Sequence, residues 1–271
     1  MDELNPQARE MADESMVRTL AAQADAIWPQ EQLLVDRYQL PPDAKVLDAG
    51  CGTGEISLRI GQTFPGARVL GVDIIDAHLD TARRRSAPLG ERMRFENRSI
   101  FDLKLPRGEF DLVLCRHVLQ SIPHADRAIA ELVRVTRPGG WLHLIPEDYL
   151  MIHFEVRRLD PDDLWSEGPR RFGAATGTDM RIGRHAYRIL RRLGLTAITV
   201  DYVIVDTLRV PRQTFAAIWK AWRDGYADAV STHTSITRDR FIAHFNDMLA
   251  TLEDPDGYGV WHVPVVAGRV P

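Results

Sequence analysis

The chain has 271 residues, 45% hydrophobic and 27% charged, with a formal net charge of −4 and a pI near 6.1. Such a composition suits a globular chain long enough for one elaborated domain, and it excludes the basic stripe of a nucleic-acid binder. With only two cysteines, Cys51 and Cys115, a disulfide scaffold is excluded and a reducing cytoplasm is the expectation.

In chain order, the polar, acidic start MDELNPQARE lacks the apolar centre of a secretion signal, and no later apolar run reaches membrane-span length. Residues 7–38 carry apolar positions at three- and four-residue spacing, the signature of a helix, which Pro29 either breaks or reopens. From residue 44 the rhythm changes: KVLDAG predicts a strand, EISLRIGQTF a helix, ARVLGVD a strand, AHLDTARRRSA a helix, and MRFENRS and FDLVLCR two more strands. HADRAIAELVRVT is the next helix, and Pro138-Gly139-Gly140 makes a turn into the strand WLHLIP. Alternation of this kind predicts a parallel sheet built from right-handed crossovers.

Beyond residue 150 the pattern weakens. LDPDDLWSEGPRRFGAATGTD reads as a long loop, MRIGRHAYRILRRLG as a helix closed by Gly194, and LTAITVDYVIVDTL as a long strand. Two helices are expected in 211–253, and a last strand in YGVWHVPVVAGRV.

The segment VLDAGCGTG at 46–54 places Gly50, Gly52 and Gly54 at every second position after a buried strand. Glycines there let backbone approach a ligand closely, at the end of a strand where open α/β sheets bind. The spacing is neither the G-x-G-x-x-G of dinucleotide sites nor the phosphate loop, which needs a lysine that is missing here. Asp73 ends the second strand, where a carboxylate can accept both hydroxyls of a ribose.

Taken with GVDIID at 71–76, FDLVLCRHVLQSI at 110–122 and RVTRPGG at 134–140, this segment resembles the class I S-adenosylmethionine-dependent methyltransferases, in particular the type 11 group that methylates small molecules. The resemblance spans about residues 44–148. It implies a Rossmann-like α/β fold: a seven-stranded, mostly parallel sheet with an antiparallel last strand. Residues 1–40 would form an N-terminal helical lid on a methyltransferase domain at 41–271, with a helical insert at about 207–256 before the last strand. It also implies S-adenosyl-L-methionine as cofactor, with no metal. Gly50, Cys51 and Gly52 would pass the methionine portion, Asp48 would support that turn near the ammonium group, Asp73 would hold the ribose and Ile74 would cover one adenine face. Ser99 and Ile100 would meet the adenine edge, with Asp102 the alternative partner, and Arg116 would offer its backbone carbonyl to the amino group. Cys51 and Cys115 read as small packing residues.

Methyl transfer to oxygen or carbon needs a proton acceptor, whereas a neutral amine can attack without a dedicated base. His117, after the fourth strand, and Glu147 and Asp148, after the fifth, are the candidate catalytic residues; Tyr149 and His153 lie nearby. The candidate pocket wall comprises Met16, Arg18, Trp28 and Gln32 from the N-terminal helices, and Phe154, Trp165, Phe172, Trp219, Trp222 and Tyr226 from the later segments. The expected activity is methylation of a small-molecule O, N or C acceptor in secondary metabolism. The expected partners exclude nucleic acid and membrane and leave a homodimer open. Two alternatives stand beside it: a protein or nucleic-acid methyltransferase, disfavoured by CRHV where DNA amino-methylating enzymes carry a Pro-Pro turn, and a cofactor-binding member repurposed for other chemistry.

Overall fold

The computed structural model describes residues 14–271. The central strands β1 (Lys45–Ala49) and β4 (Phe110–Arg116) are apolar on both sides, and successive side chains enter different cores. Val46, Leu112 and Leu114 face the helices α2 (Glu55–Thr63) and α3 (Asp76–Ser86), whereas Leu47, Val113 and Cys115 face α4 (Ala125–Val135) and α7 (Gly183–Arg192). Strands covered on both faces carry no polar alternation, which is why they read as continuous hydrophobic runs.

Strands β3 (Met93–Asn97), β2 (Arg68–Asp73), β1, β4 and β5 (Thr136–Ile145) lie side by side in parallel. The long β8 (Gly259–Arg269) runs antiparallel to β5, and β7 (Thr196–Asp206) runs antiparallel along the other edge of β8. A three-residue strand, β6 (Ile152–Phe154), pairs with the start of β8 on the edge that β5 occupies further along. The sheet therefore has eight strands where seven were expected; β6 is too short to leave a periodic pattern. Chain progression reverses between β1 and β4, so their carboxyl ends open a crevice there.

Three local expectations are corrected. Pro29 neither ends nor restarts a helix but lies within the single α1 (Glu14–Asp36), flanked by the buried Trp28 and Glu31. The ring costs one backbone hydrogen bond, and tertiary packing on both sides holds the helix through it. The part of the predicted helix before residue 14 lies outside the described residues. Pro138-Gly139-Gly140 is absorbed into β5, with Gly139 at φ +76° and a register shift opposite Phe110 and Leu112. The supposed loop after residue 158 contains α5 (Asp162–Trp165) and α6 (Gly168–Thr176), closed by Gly177 at φ +72°. Their Gly, Pro and Asp content hides them, while burial of Leu164, Trp165 and Phe172 drives them.

Helices α8 (Arg212–His233) and α9 (Arg238–Glu253) pack on each other, on α1 and on α6, over a core that contains Trp165, Trp219, Trp222, Trp261 and Phe245. No described helix is long and apolar enough to cross a membrane.

Candidate active site at the β1–β4 crevice

The glycine turn forms the crevice floor. Gly50, Gly52 and Gly54 all take positive φ, at +76°, +50° and +77°. A Cβ on Gly50 would lie 2.3 Å from Val118 Cγ2, and one on Gly52 would lie 2.8 Å from Leu20 Cδ1. Only glycine fits either position, on both conformational and steric grounds. Gly50 N and Cys51 N donate to the Val72 carbonyl at 2.8 and 3.0 Å, tying the turn to the end of β2. There the Asp73 carboxylate accepts from Gly52 N at 2.9 Å and from Ile75 N at 3.0 Å. Asn97 braces the same loop, donating to the Ile74 carbonyl and to Asp76.

Over this floor lies a cleft of about 1200 Å³, counting its mouth. Gly50, Gly52, Asp73, Ile74, Ser99, Ile100, Arg116 and His117 line it, as does Met16 of α1. Asp102, the alternative to Ser99, is exposed and lies outside this lining. Ser99 Oγ accepts from Phe101 N at 3.3 Å. His78, in the first turn of α3, has no sequence signal, because nothing in the local pattern aims it inward. It lines the cleft, it is buried, and its Nε2 has no partner among the described residues. Burial lowers its pKa, against the opposing pull of Asp73.

Behind the floor, Asp48 accepts from the Ser57 hydroxyl at 2.6 Å. Burial pushes its carboxyl up to about 6 despite that bond and the nearby Arg116. Cys51 and Cys115 are buried, and burial raises both thiols, which suits packing and not nucleophilic chemistry. Arg116 turns its guanidinium under α1, with Nε 2.8 Å from Glu31 Oε1. Glu31 also takes His143 Nε2 at 3.1 Å, and His143 Nδ1 meets the Tyr38 hydroxyl at 2.7 Å. Burial alone would raise the Glu31 carboxyl, but Arg116 and His143 outweigh it and lower it. This polar chain pins the N-terminal helix to the sheet through a contact that no local pattern announces.

The parallel register explains the remaining pair. Arg116 of β4 lies opposite Ile145 of β5, so the residues just past each strand leave the sheet together. His117 N donates to the Ile145 carbonyl at 3.0 Å, and Nδ1 of His117 bonds Glu147 Oε1. A carboxylate can only accept, so Nδ1 carries the proton and Nε2 is left as the basic nitrogen. That Nε2 is buried and has no partner among the described residues. His117 holds φ at +54°, and Gln120 Nε2 donates to its carbonyl at 2.7 Å. Such a backbone costs a non-glycine residue of order 1–3 kcal/mol and marks a position held by its surroundings. Trp261 supports the ring, with centroids 5.9 Å apart.

Residues 46–140 match the family described as a methyltransferase domain. Over these residues the chain is similar to the S-adenosylmethionine-dependent methyltransferases. It is 34% identical over 171 residues to trans-aconitate 2-methyltransferase of Deinococcus radiodurans, a match that covers 60% of this chain and 64% of that one. The chain thus spans under two thirds of that relative's length. It is 27% identical over 261 residues to the S-adenosyl-L-methionine-dependent Diels-Alderase iccD of Talaromyces variabilis, covering 89% of this chain and 80% of that one. In fold it is similar to geranyl diphosphate C-methyltransferase from Streptomyces coelicolor A3(2), solved in complex with S-adenosyl-L-homocysteine. The TM-score is 0.55 at 18% identity, over 90% of this chain and 79% of that one.

The cofactor of the family is S-adenosylmethionine, and the crevice fits it: the floor is bare backbone where any Cβ would collide, and Asp73 stands beside it. Asp48, Cys51 and Glu147 lie behind the wall instead of lining it. Asp148 is drawn away altogether. Arg184 of α7 grips it at 2.7 and 2.9 Å, and it accepts from Leu150 N, so its charge is spent on structure. Of the candidate wall residues, Met16, Trp222 and Tyr226 line the cleft, and so does Tyr149. Arg18 pairs with Asp224 at the surface, Trp28 lies in the core beneath α1, and Gln32 and Phe154 lie outside the lining. His153 is exposed, against His262. Trp165 and Phe172 line a second, neighbouring cavity. Trp219 is core. Among the described residues no group of three or more His, Cys, Asp or Glu side chains could hold a metal.

Proposed function

We propose that the chain methylates a hydroxyl oxygen of a small organic acceptor, with His117 as the general base and Glu147 as the residue that orients it. The observation that carries this reading is the buried His117–Glu147 pair, with an Nε2 that has no partner among the described residues, on a residue of the cleft wall. A neutral amine acceptor attacks through its lone pair without such a base.

Bound S-adenosylmethionine supplies a methyl group on positively charged sulfur, activated for direct displacement. The protein's residues do the rest. The Gly50–Gly52 backbone and Asp73 would hold the methionine and ribose portions, and Ile74, Ser99 and Ile100 the adenine. Nε2 of His117 takes the hydroxyl proton as the oxygen becomes a nucleophile. Glu147 keeps the proton of Nδ1 in place and faces the imidazolium that results. Alignment in a walled cleft contributes the larger share, up to about 7–11 kcal/mol in favourable cases, and the base adds about 10²–10⁴-fold.

The test is a panel of phenols, enols and amines, scored for S-adenosylhomocysteine release and for a methylated product by mass spectrometry. His117→Asn is the informative variant, because Asn tolerates positive φ. It should lose about 10²–10⁴ in kcat on an oxygen acceptor while cofactor affinity stays within a few-fold. Full activity in that variant overturns the role of His117. A second reading is favoured by the match along most of the chain to a Diels-Alderase: a cofactor-bound cleft that shapes a rearrangement. Product formation without release of S-adenosylhomocysteine would decide for it.

A further inference from the structure

Tyr149, Trp222 and Tyr226 line the cofactor cleft and also a second cavity of about 530 Å³, counting its open side, so the two spaces meet at these three rings. The second cavity lies under α5, α6, α8 and α9. Leu164, Phe172, Met180, Phe241 and Phe245 are among its walls, and none of its lining residues carries a charge. Trp165 turns its indole N–H away, donating it to Met248 Sδ at 3.3 Å. Polar side chains that line the cleft, such as Thr19, Gln23, His117 and Gln120, are absent from this chamber.

Resting on the methyl-transfer reading of the cleft, we propose that the acceptor is an amphipathic molecule bound tail-first. Its uncharged hydrocarbon or aromatic body fills the chamber, and a single hydroxyl stays in the cleft that His117 lines. An apolar body gains free energy with each group it removes from water. A carboxylate or phosphate in the same place would lose its hydration and find no counter-charge. The chamber therefore selects against polycarboxylates and sugar phosphates and measures the length of the tail. Tyr149 and Tyr226 stand at the neck between the polar and apolar compartments.

The experiment is equilibrium binding of 4-n-alkylphenols, from phenol to 4-octylphenol, to the protein saturated with S-adenosylhomocysteine. Calorimetry gives the affinity, and the fluorescence of Trp165 and Trp222 reports on the chamber. Affinity should rise about four-fold per methylene until the chamber is full and then level off. Phe172→Ala should move that break to longer tails, and Gly168→Leu to shorter ones. A terminal carboxylate on the tail should cost at least ten-fold. Absence of binding, affinity independent of tail length, or equal binding of the carboxylated tails overturns the proposal. Should Phe172→Ala fail to fold, the wild-type series and Gly168→Leu still decide. Parallel turnover assays separate this proposal from the methyl-transfer reading. Length-dependent binding with no methyl ether from any phenol sinks the role of His117 and leaves the chamber. Methylation of hydrophilic acceptors with no effect of tail length sinks the chamber and leaves methyl transfer.

Discussion

Replacing Glu147 by glutamine changes one atom of a buried side chain and tests whether the carboxylate sets the state of His117. Oε1 of Glu147 holds the Nδ1 proton, and Oε2 has no partner among the described residues. The glutamine amide has two orientations. With its NH2 toward Nδ1, that nitrogen must accept, the ring proton moves to Nε2 and the base is lost, about 10²–10⁴ in kcat. With its oxygen toward Nδ1, the NH2 replaces Oε2 in a buried place with no acceptor, at about 1–3 kcal/mol, and the charge facing the imidazolium is gone. The first orientation predicts at least a hundred-fold fall in kcat on an oxygen acceptor, and the second predicts a fall in kcat together with a loss of stability. S-adenosylhomocysteine affinity should change by less than about three-fold, since Glu147 lies behind the cleft wall. The assay is steady-state kinetics beside calorimetric binding, with His117→Asn and the double variant completing the cycle. Because the two residues act as one unit, the double variant should be little worse than either single variant. Undiminished kcat in Glu147→Gln, or strictly additive losses, would refute the reasoning.

Asp73→Ala removes acceptors for Gly52 N and Ile75 N as well as the carboxylate proposed to hold the ribose. At about 1.5–3 kcal/mol per charged hydrogen bond, cofactor affinity should fall ten- to hundred-fold or more by calorimetry. Arg116→Met strands Glu31 beside His143 and should cost about 3–5 kcal/mol in urea unfolding. Adding Glu31→Gln should recover part of it. Asp48 has a folded-state pKa of about 6 against 3.8, so the folded state keeps a proton that the unfolded chain releases. Its contribution, about 3 kcal/mol, is present below pH 4 and lost as pH rises to about 6. Asp48→Asn should therefore gain stability relative to wild type between pH 4 and 7, a difference readable from paired urea titrations.

Elements whose cause is local were legible in advance. The run from Val46 to Gly54, the acidic end of β2 and the alternation of strand and helix up to Ile145 depend on neighbours a few residues apart, and the structure follows them closely. Segments whose own composition argues against their state were not legible. The helices α5 and α6 are rich in turn formers and exist because Leu164, Trp165 and Phe172 are buried by α8 and α9. Pro29 likewise stays inside α1 because packing on both sides outweighs one lost hydrogen bond.

For the site the division is sharper. The glycine spacing and Asp73 announced a nucleoside site, and the resemblance carried by these and two further motifs named its cofactor, since positive φ and a strand-end carboxylate are properties of short segments. His117, Glu147 and Asp148 were equally visible as residues, yet only the register of β4 against β5 pairs the first two, and only the approach of α7 removes the third. The links from Glu31 to Arg116 and His143, and the chamber behind Tyr149, join segments far apart in the chain. Local conformation is encoded by adjacent side chains acting on their own backbone. Which distant groups meet depends on the summed packing of the whole core, a sum that no single window of residues contains.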